Sequence, residues 1–221
     1  MATSTVEDYA KRIYALQQRL GAEQLVPVGQ IAASVDVVPG TATTMMKSMA
    51  ESGLVQYESR QGVRLTPAGE RLALGVLRRH RLIELFLVNV LNVDWADVHD
   101  DAERLEHALS DRLLERIDVY LGRPTYDPHG DPIPTASGEV ADRTSVPLSE
   151  ARPGARLIIA RIMDQDPNFL GYATTRGLKP NVRINIESID VLGEAICVVV
   201  DGGARVTLGT SAAAKIAVVP G

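Results

Sequence analysis

The stretch that most constrains the fold is VPVGQIAASVDVVPGTATTMMKSMAESGLVQYESRQGVRLTPAGE, residues 26–70. Its apolar spacing predicts a short helix over 28–34, then a turn carrying Asp36 and Pro39. A second helix follows over 40–52 and stops at Gly53. LVQYE and VRLT are β-prone runs joined by SRQG. Helix, turn, helix and hairpin in that order make a winged helix-turn-helix.

The flanking segments are helical. Residues 4–20 place Val6, Tyr9, Ile13, Leu16 and Leu20 at an approximate helical period, with Gly21 as the stop. Ser4 and Glu7 have the spacing of a capping box. Thr66-Pro67 starts a long apolar helix that runs to Leu91. Asp94 is placed to cap a helix over 95–109, and Ser110 one over 111–121 that ends at Gly122. Pro124, Pro128, Pro132, Pro134 and Pro147 then break regularity, as an ordered loop and a linker. From Leu148 the pattern becomes β: RLIIARI, VRINIESI, AICVVVD, RVTLG and KIAVVP read as five short strands of a small barrel. The expected class is mainly α with a C-terminal β domain. The expected parts are a winged helix-turn-helix at 1–72, a helical domain at 73–140 and a small β-barrel domain at 148–221.

Charge is distributed unevenly among these parts. The chain carries a net charge of −5, which by itself argues against a nucleic-acid partner. Residues 1–72 are neutral, 73–140 carry −6 and 141–221 carry +1. The excess in the middle segment repels itself unless cations neutralise it. No apolar run approaches the roughly 20 residues that cross a bilayer. With no signal-like N-terminus and with Cys197 as the lone cysteine, a reducing cytoplasm is the expected compartment.

Three of the four histidines fall between His80 and His107. On a continuous helix advancing about 100° per residue, His99, Glu103, Glu106 and His107 share an arc of roughly 100°. His80 and Glu84 are likewise i and i+4 on the preceding helix. Any one such pair is ordinarily a solvated helix pair. Two adjacent helices that both carry them, inside the acidic segment, point to a divalent cation held in a helical core. Asp8 carries no signal by itself, since a first-turn carboxylate complements the helix dipole.

VEDYAKRIYAL, GLVQYESRQGVRLTPAGERLA, RRHRLIELFL, VHDDAERLEHALS and PHGDPIP, in this order, resemble the diphtheria-toxin-repressor family of metal-dependent regulators over residues 4–140. LSEARPGARLIIARI and GYATTRGLKPNVRINI resemble the SH3-like, FeoA-type domain of its longer members. The resemblance implies a primary site of Asp8, His80, Glu103, Glu106 and His107. It implies a second site from Glu84, Asp127, His129 and Asp164, or in another branch from the positions of His80, Glu84 and His99. The iron-responsive branch has cysteine at the position of Glu103, and other relatives have it at Asp127. Carboxylate and imidazole donors suit Mn²⁺ or Fe²⁺ better than a thiolate set does. The resemblance to the manganese branch favours Mn²⁺, with two ions per subunit.

The second helix of the helix-turn-helix is the candidate reading helix. Pro39, Gly40, Thr41, Thr43 and Thr44 stand at its N-terminal end, Lys47 one turn on and Arg60 at the hairpin tip. Threonines suit phosphates, base edges and thymine methyls, and the two cations suit phosphates. The same threonines would equally serve as caps or surface groups. Met45, Met46 and Met49 read as packing residues. A neutral reading domain needs to be used twice, so a homodimer on double-stranded operator DNA is expected, paired through Leu105, Leu109, Leu113, Leu114 and Ile117. The resemblance implies a metal-activated repressor of metal-uptake genes. A metallohydrolase using the His/Glu cluster and a winged-helix regulator with an organic effector are the alternatives.

Overall fold

The computed structural model describes residues 3–21 and 24–221. They pack as two compact units: Met1–His80, Glu106–Leu109 and Pro134–Glu139 form one, and Arg81–Leu105, Ser110–Ile133 and Val140–Gly221 the other.

The first unit is built from α1 (Ser4–Leu20), α2 (Val28–Ser34), α3 (Pro39–Glu51), the hairpin β1 (Val55–Glu58) and β2 (Gly62–Leu65), and α4 (Pro67–Leu91) as far as His80. Tyr9, Ile13, Ile31, Ala42, Met46, Met49, Val55 and Val63 form its core. Each buried aliphatic side chain of this size contributes about 1.5–3 kcal/mol relative to exposure. In α3 the inward residues Ala42, Met46 and Met49 follow the i, i+4, i+7 pattern. That spacing leaves Thr41, Thr44 and Lys47 exposed. The wing is joined by Val26, which bridges Val63. A Cβ on Gly62 would lie 2.6 Å from the Val26 carbonyl oxygen, so only glycine admits this third segment.

Two details of α1 differ from expectation. Thr3, not Ser4, caps the helix, its hydroxyl accepting from the Val6 N–H at 3.4 Å. Glu7 thus falls one position beyond the capping-box site, and its carboxylate turns to His107 at 2.7 Å. Leu20 is exposed, so the apolar face ends at Leu16.

The second unit contains the rest of α4, then α5 (Val98–Leu105), α6 (Asp111–Tyr120) and a six-stranded antiparallel sheet. Helix α6 is capped by Ser110 as the sequence predicts. Helix α5 is much shorter than the helix expected over 95–109. Asp94 caps only a turn, its Oδ1 accepting from the Ala96 N–H at 2.9 Å. Residues 106–108 form a second turn beyond the helix. The arc of four ligand-type residues expected on one helix is therefore divided.

The sheet has the order β3-β8-β4-β5-β6-β7. β4 (Arg156–Ile162), β5 (Arg183–Asp190), β6 (Ala195–Val200), β7 (Arg205–Gly209) and β8 (Ile216–Pro220) are the five strands expected, and β3 (Val146–Pro147) adds a short edge. Alternate residues of β6 and β7 point into a core of Ile159, Ile184, Ile196, Val198, Leu208 and Val218. Register shifts between Ile159 and Arg161 and between Ile186 and Ser188 bend the sheet over that core. The helix α7 (Pro167–Thr175) and the four-residue α8 (Thr210–Ala213) were not anticipated. Asp166 caps α7 by accepting from the N–H groups of Asn168 and Phe169, and Pro167 opens it. Among the described residues no helix is long and apolar enough to cross a membrane.

Candidate metal centres and reading helix

In the first unit, α1 and the turn after α5 bring together Asp8, Glu106 and His107, with one ligand-type atom of each within 4.8 Å of the others. His107 Nε2 stands 2.9 Å from Asp8 Oδ1 and 3.4 Å from Glu106 Oε1. Its Nδ1–H donates to Glu7 Oε2 at 2.7 Å, which orients the ring and leaves Nε2 facing the two carboxylates. Burial lowers the His107 pKa, but Glu7, Asp8 and Glu106 together reverse this and raise it. Burial raises that of Glu106, and His80 and Lys11 outweigh it and hold the carboxyl below its ordinary value. His80 Nδ1 donates to Glu106 Oε2 and the Lys11 ammonium to Oε1, each at 2.6 Å. Glu106 is fully buried, whereas the Asp8 side chain is 46% exposed, so the centre opens to solvent on the Asp8 side.

Glu103, expected in the primary set, is not among the residues grouped with Asp8, Glu106 and His107. It is still helical in α5, and its carboxylate lies 3.4 Å from His99 Nε2, one turn back. His99 Nδ1 in turn lies 3.3 Å from Glu84 Oε1. Hydrogen bonds to Glu103 and Glu84 push His99 up to about 9.

The second centre lies wholly in the second unit. Glu84 of α4 meets Asp127 and His129 from the proline-rich loop, and all three are buried. The loop is a tight DPHGD turn. Asp127 Oδ1 accepts from the N–H groups of His129 and Asp131 at 2.8 and 2.9 Å. The Ile162 N–H donates to His129 O, pinning the loop to β4. Gly130 has φ +87°, and a Cβ there would lie 2.1 Å from the Ala160 carbonyl oxygen. No other residue fits.

Two ligand-type atoms of this centre make no hydrogen bond, Asp127 Oδ2 and His129 Nδ1, although the Arg81 guanidinium stands 3.7 Å from Asp127 Oδ2. Orphaned buried polar atoms are uncommon and call for an explanation. His129 Nε2–H donates to the Trp95 carbonyl at 2.8 Å, and Nδ1 faces Glu84 Oε2 at 3.7 Å. A histidine held in this way offers Nδ1 to a cation. Burial and the neighbouring Asp131 and Glu84 carboxylates push Asp127 up to about 7. Burial pulls His129 down, but Glu84 and Asp127 more than reverse it, leaving it at about 8. Two carboxylates and an imidazole, two of whose atoms make no hydrogen bond, form a set that a hard or borderline divalent cation fits.

Asp164 is not brought to this set. The Lys215 ammonium takes its Oδ2 at 2.6 Å, and its Oδ1 accepts from the Asp166 N–H. A neighbouring carboxylate the sequence did not single out, Asp131, is buried among Arg161, Arg81 and Gln165. Glu7, which reads in the sequence as a capping residue, and Lys11 also reach the first cluster, at i−1 and i+3 from Asp8 on α1.

On α3 the Thr43 and Thr44 hydroxyls donate back to the Pro39 and Gly40 carbonyls at 2.8 and 3.1 Å. Pro39, Gly40, Thr41, Thr44 and Lys47 are exposed and Thr43 half-buried. Arg60 stands exposed at the hairpin turn with φ +68°.

Comparison with known proteins agrees with this geometry. The family model for the iron dependent repressor N-terminal DNA binding domain matches residues 1–63, and that for its metal binding and dimerisation domain matches 66–135. A FeoA domain model matches residues 146–220. The iron-dependent repressor IdeR of Mycobacterium tuberculosis is 30% identical over 217 residues, covering 92% of each chain. The chain belongs to the iron-dependent repressor family. The diphtheria toxin repressor of Corynebacterium diphtheriae is 34% identical over 158 residues, covering 71% of this chain and 66% of its own. A solved manganese-dependent transcriptional repressor in complex with manganese superposes with a TM-score of 0.89 at 42% identity, covering 97% of this chain and 99% of that one. These relatives are repressors, not enzymes, so the family carries no support for the metallohydrolase alternative.

Proposed function

We propose that the chain is a manganese-activated, DNA-binding repressor that holds two cations per subunit, one at Asp8, Glu106 and His107 and one at Glu84, Asp127 and His129. The observation that carries this reading is the first cluster, in which a carboxylate of α1 converges with Glu106 and His107. Helix α1 packs in the same core as α3, so a cation on Asp8 acts on the element that positions the reading helix. It would neutralise the three-residue cluster and add bonds from α1 to the 106–109 segment. By linkage it raises operator affinity by as much as it favours the DNA-competent arrangement.

Mn²⁺ is favoured over Fe²⁺ on two grounds. Both clusters offer only carboxylate and imidazole donors. Two solved relatives that match nearly the whole chain are named as manganese-dependent transcriptional repressors and a third as a manganese regulator. Thr41, Thr43, Thr44, Lys47 and Arg60, with the backbone at Pro39 and Gly40, would contact operator DNA. Leu113, Val119 and Tyr120 of α6 remain exposed while Leu114 and Ile117 are buried, which suits α6 to pairing a homodimer. Such a protein works in the cytoplasm, on promoters of metal-uptake genes.

The test is fluorescence anisotropy on a duplex selected from genomic DNA by the Mn²⁺-loaded protein. Mn²⁺ is expected to raise affinity at least about ten-fold, a coupling of about 1.4 kcal/mol, and a chelator to reverse it. Affinity that is indifferent to Mn²⁺, Fe²⁺ and chelator would overturn the proposal.

A further inference from the structure

The geometry points to Lys11 as a tethered cation that competes with the divalent ion at the Asp8, Glu106, His107 centre. The inference rests on the proposal that this cluster binds metal. Lysine is almost never fully buried unless paired, yet Lys11 is only 6% exposed. It lies one helical turn beyond Asp8 on α1, and its ammonium holds Glu106 Oε1 at 2.6 Å. That oxygen is also the one facing His107 Nε2 at 3.4 Å. One carboxylate oxygen thus serves both the ammonium and the imidazole nitrogen proposed to bind the ion.

Two consequences follow from charge alone. Without a metal, Lys11 and His80 occupy both oxygens of Glu106, so the buried carboxylate stays ionised and in place. The centre is assembled before the ion arrives. When a divalent ion binds, it enters beside a fixed positive charge on the buried Glu106 side of the centre, where like charges repel more than they do in bulk water. Lys11 either yields Glu106 Oε1 or shares it, and in both cases metal affinity falls. A weaker centre is one that releases its ion when the supply drops. Lys11 is therefore an affinity-setting residue, not a ligand.

The experiment is Mn²⁺ titration of the full-length metal-free protein, read by electron paramagnetic resonance of the free ion. The Asp8-dependent step is defined as the part of binding lost in Asp8→Ala. Lys11→Met keeps the length of the side chain and removes its charge, and Lys11→Gln also keeps a hydrogen bond to Glu106. Both are expected to tighten the Asp8-dependent step by roughly ten-fold or more, with Lys11→Arg close to the parent. Metal-free Lys11→Met is expected to unfold at a lower temperature, because Glu106 loses a partner. An unchanged or weakened Asp8-dependent step in Lys11→Gln, with circular dichroism like the parent's, overturns the inference while leaving the centre intact. Binding that Asp8→Ala does not alter overturns the centre itself, and the inference with it.

Discussion

The two candidate centres use the same donor types in opposite states of preparation. At Asp8, Glu106 and His107 each side chain already has a protein partner: Lys11 and His80 hold the two oxygens of Glu106, and Glu7 and Asp8 face the two nitrogens of His107, while the Asp8 carboxylate is partly exposed to solvent. At Glu84, Asp127 and His129 all three side chains are buried, and two donor atoms have no hydrogen bond. A partnered, accessible cluster can exchange its cation with little reorganisation. A buried cluster whose atoms lack hydrogen bonds would gain more from a cation, because an unpaired buried polar group costs about 1–3 kcal/mol. On the proposed function, the first centre would serve sensing and the second would hold the second unit together.

The largest test of that contrast is Asp8→Ala or His107→Ala. Either is expected to abolish Mn²⁺-stimulated operator binding, a loss of roughly 10–100-fold at a concentration that saturates the parent, with the metal-dependent rise in melting temperature largely retained. Loss of the temperature rise together with the stimulation would merge the two roles.

His129→Ala is expected to do the reverse. A cation at about 100 times its dissociation constant stabilises by about 2.7 kcal/mol, which for a domain of this size is roughly 5–10 °C. Calorimetry should show that increment gone in the variant, while anisotropy still reports stimulation by metal.

A smaller effect concerns pH. Burial first, then Asp131 and Glu84, raises Asp127 to about 7, above the ordinary value for aspartate of about 3.9. A group raised on folding stabilises fully below its unfolded pKa, and loses that contribution as pH climbs through its folded pKa. The Asp127 contribution to the metal-free protein therefore fades between about pH 4 and 7. Urea denaturation of metal-free Asp127→Asn should decline less over that window than the parent. Parallel pH profiles would refute the assignment.

The smallest effect is expected at Lys215→Ala. Its pairing with Asp164 is partly solvent-exposed, and surface pairs contribute about 0–1 kcal/mol. A change in melting temperature of more than a few degrees would mean that Asp164 supports the second centre more closely than its position indicates.

Most elements were legible in the sequence because local rules decide them. Pro67 and Ser110 started helices, the Ser59–Gln61 turn set the hairpin, and alternation of period two marked β5 to β7. The misses have local causes of a different kind. The segment at 95–109 has helical periodicity, yet the chain turns at 95–97 and again at 106–108. Periodicity cannot register that Trp95 is drawn into the β-domain core, its indole N–H donating to Thr174 Oγ1 at 2.7 Å. The short α7 was readable from Asp166-Pro167 but was masked by the β-rich surroundings.

Residue types and their place in the chain determined which chemistry is available: imidazoles and carboxylates in the helical segment, with the lone cysteine, Cys197, far away in the β domain, on a scaffold of winged helix, helical segment and β domain. Tertiary packing decided how those donors are divided. It separated Glu106 and His107 from His99 and Glu103, put Lys11 and Glu7 beside the first group, turned Asp164 to Lys215, and buried Asp127 and His129 under β4. Helical phase records which side chains share a face of one element. Only the meeting of distant segments fixes which of them share a cavity, and there partner and burial set the charge each one carries.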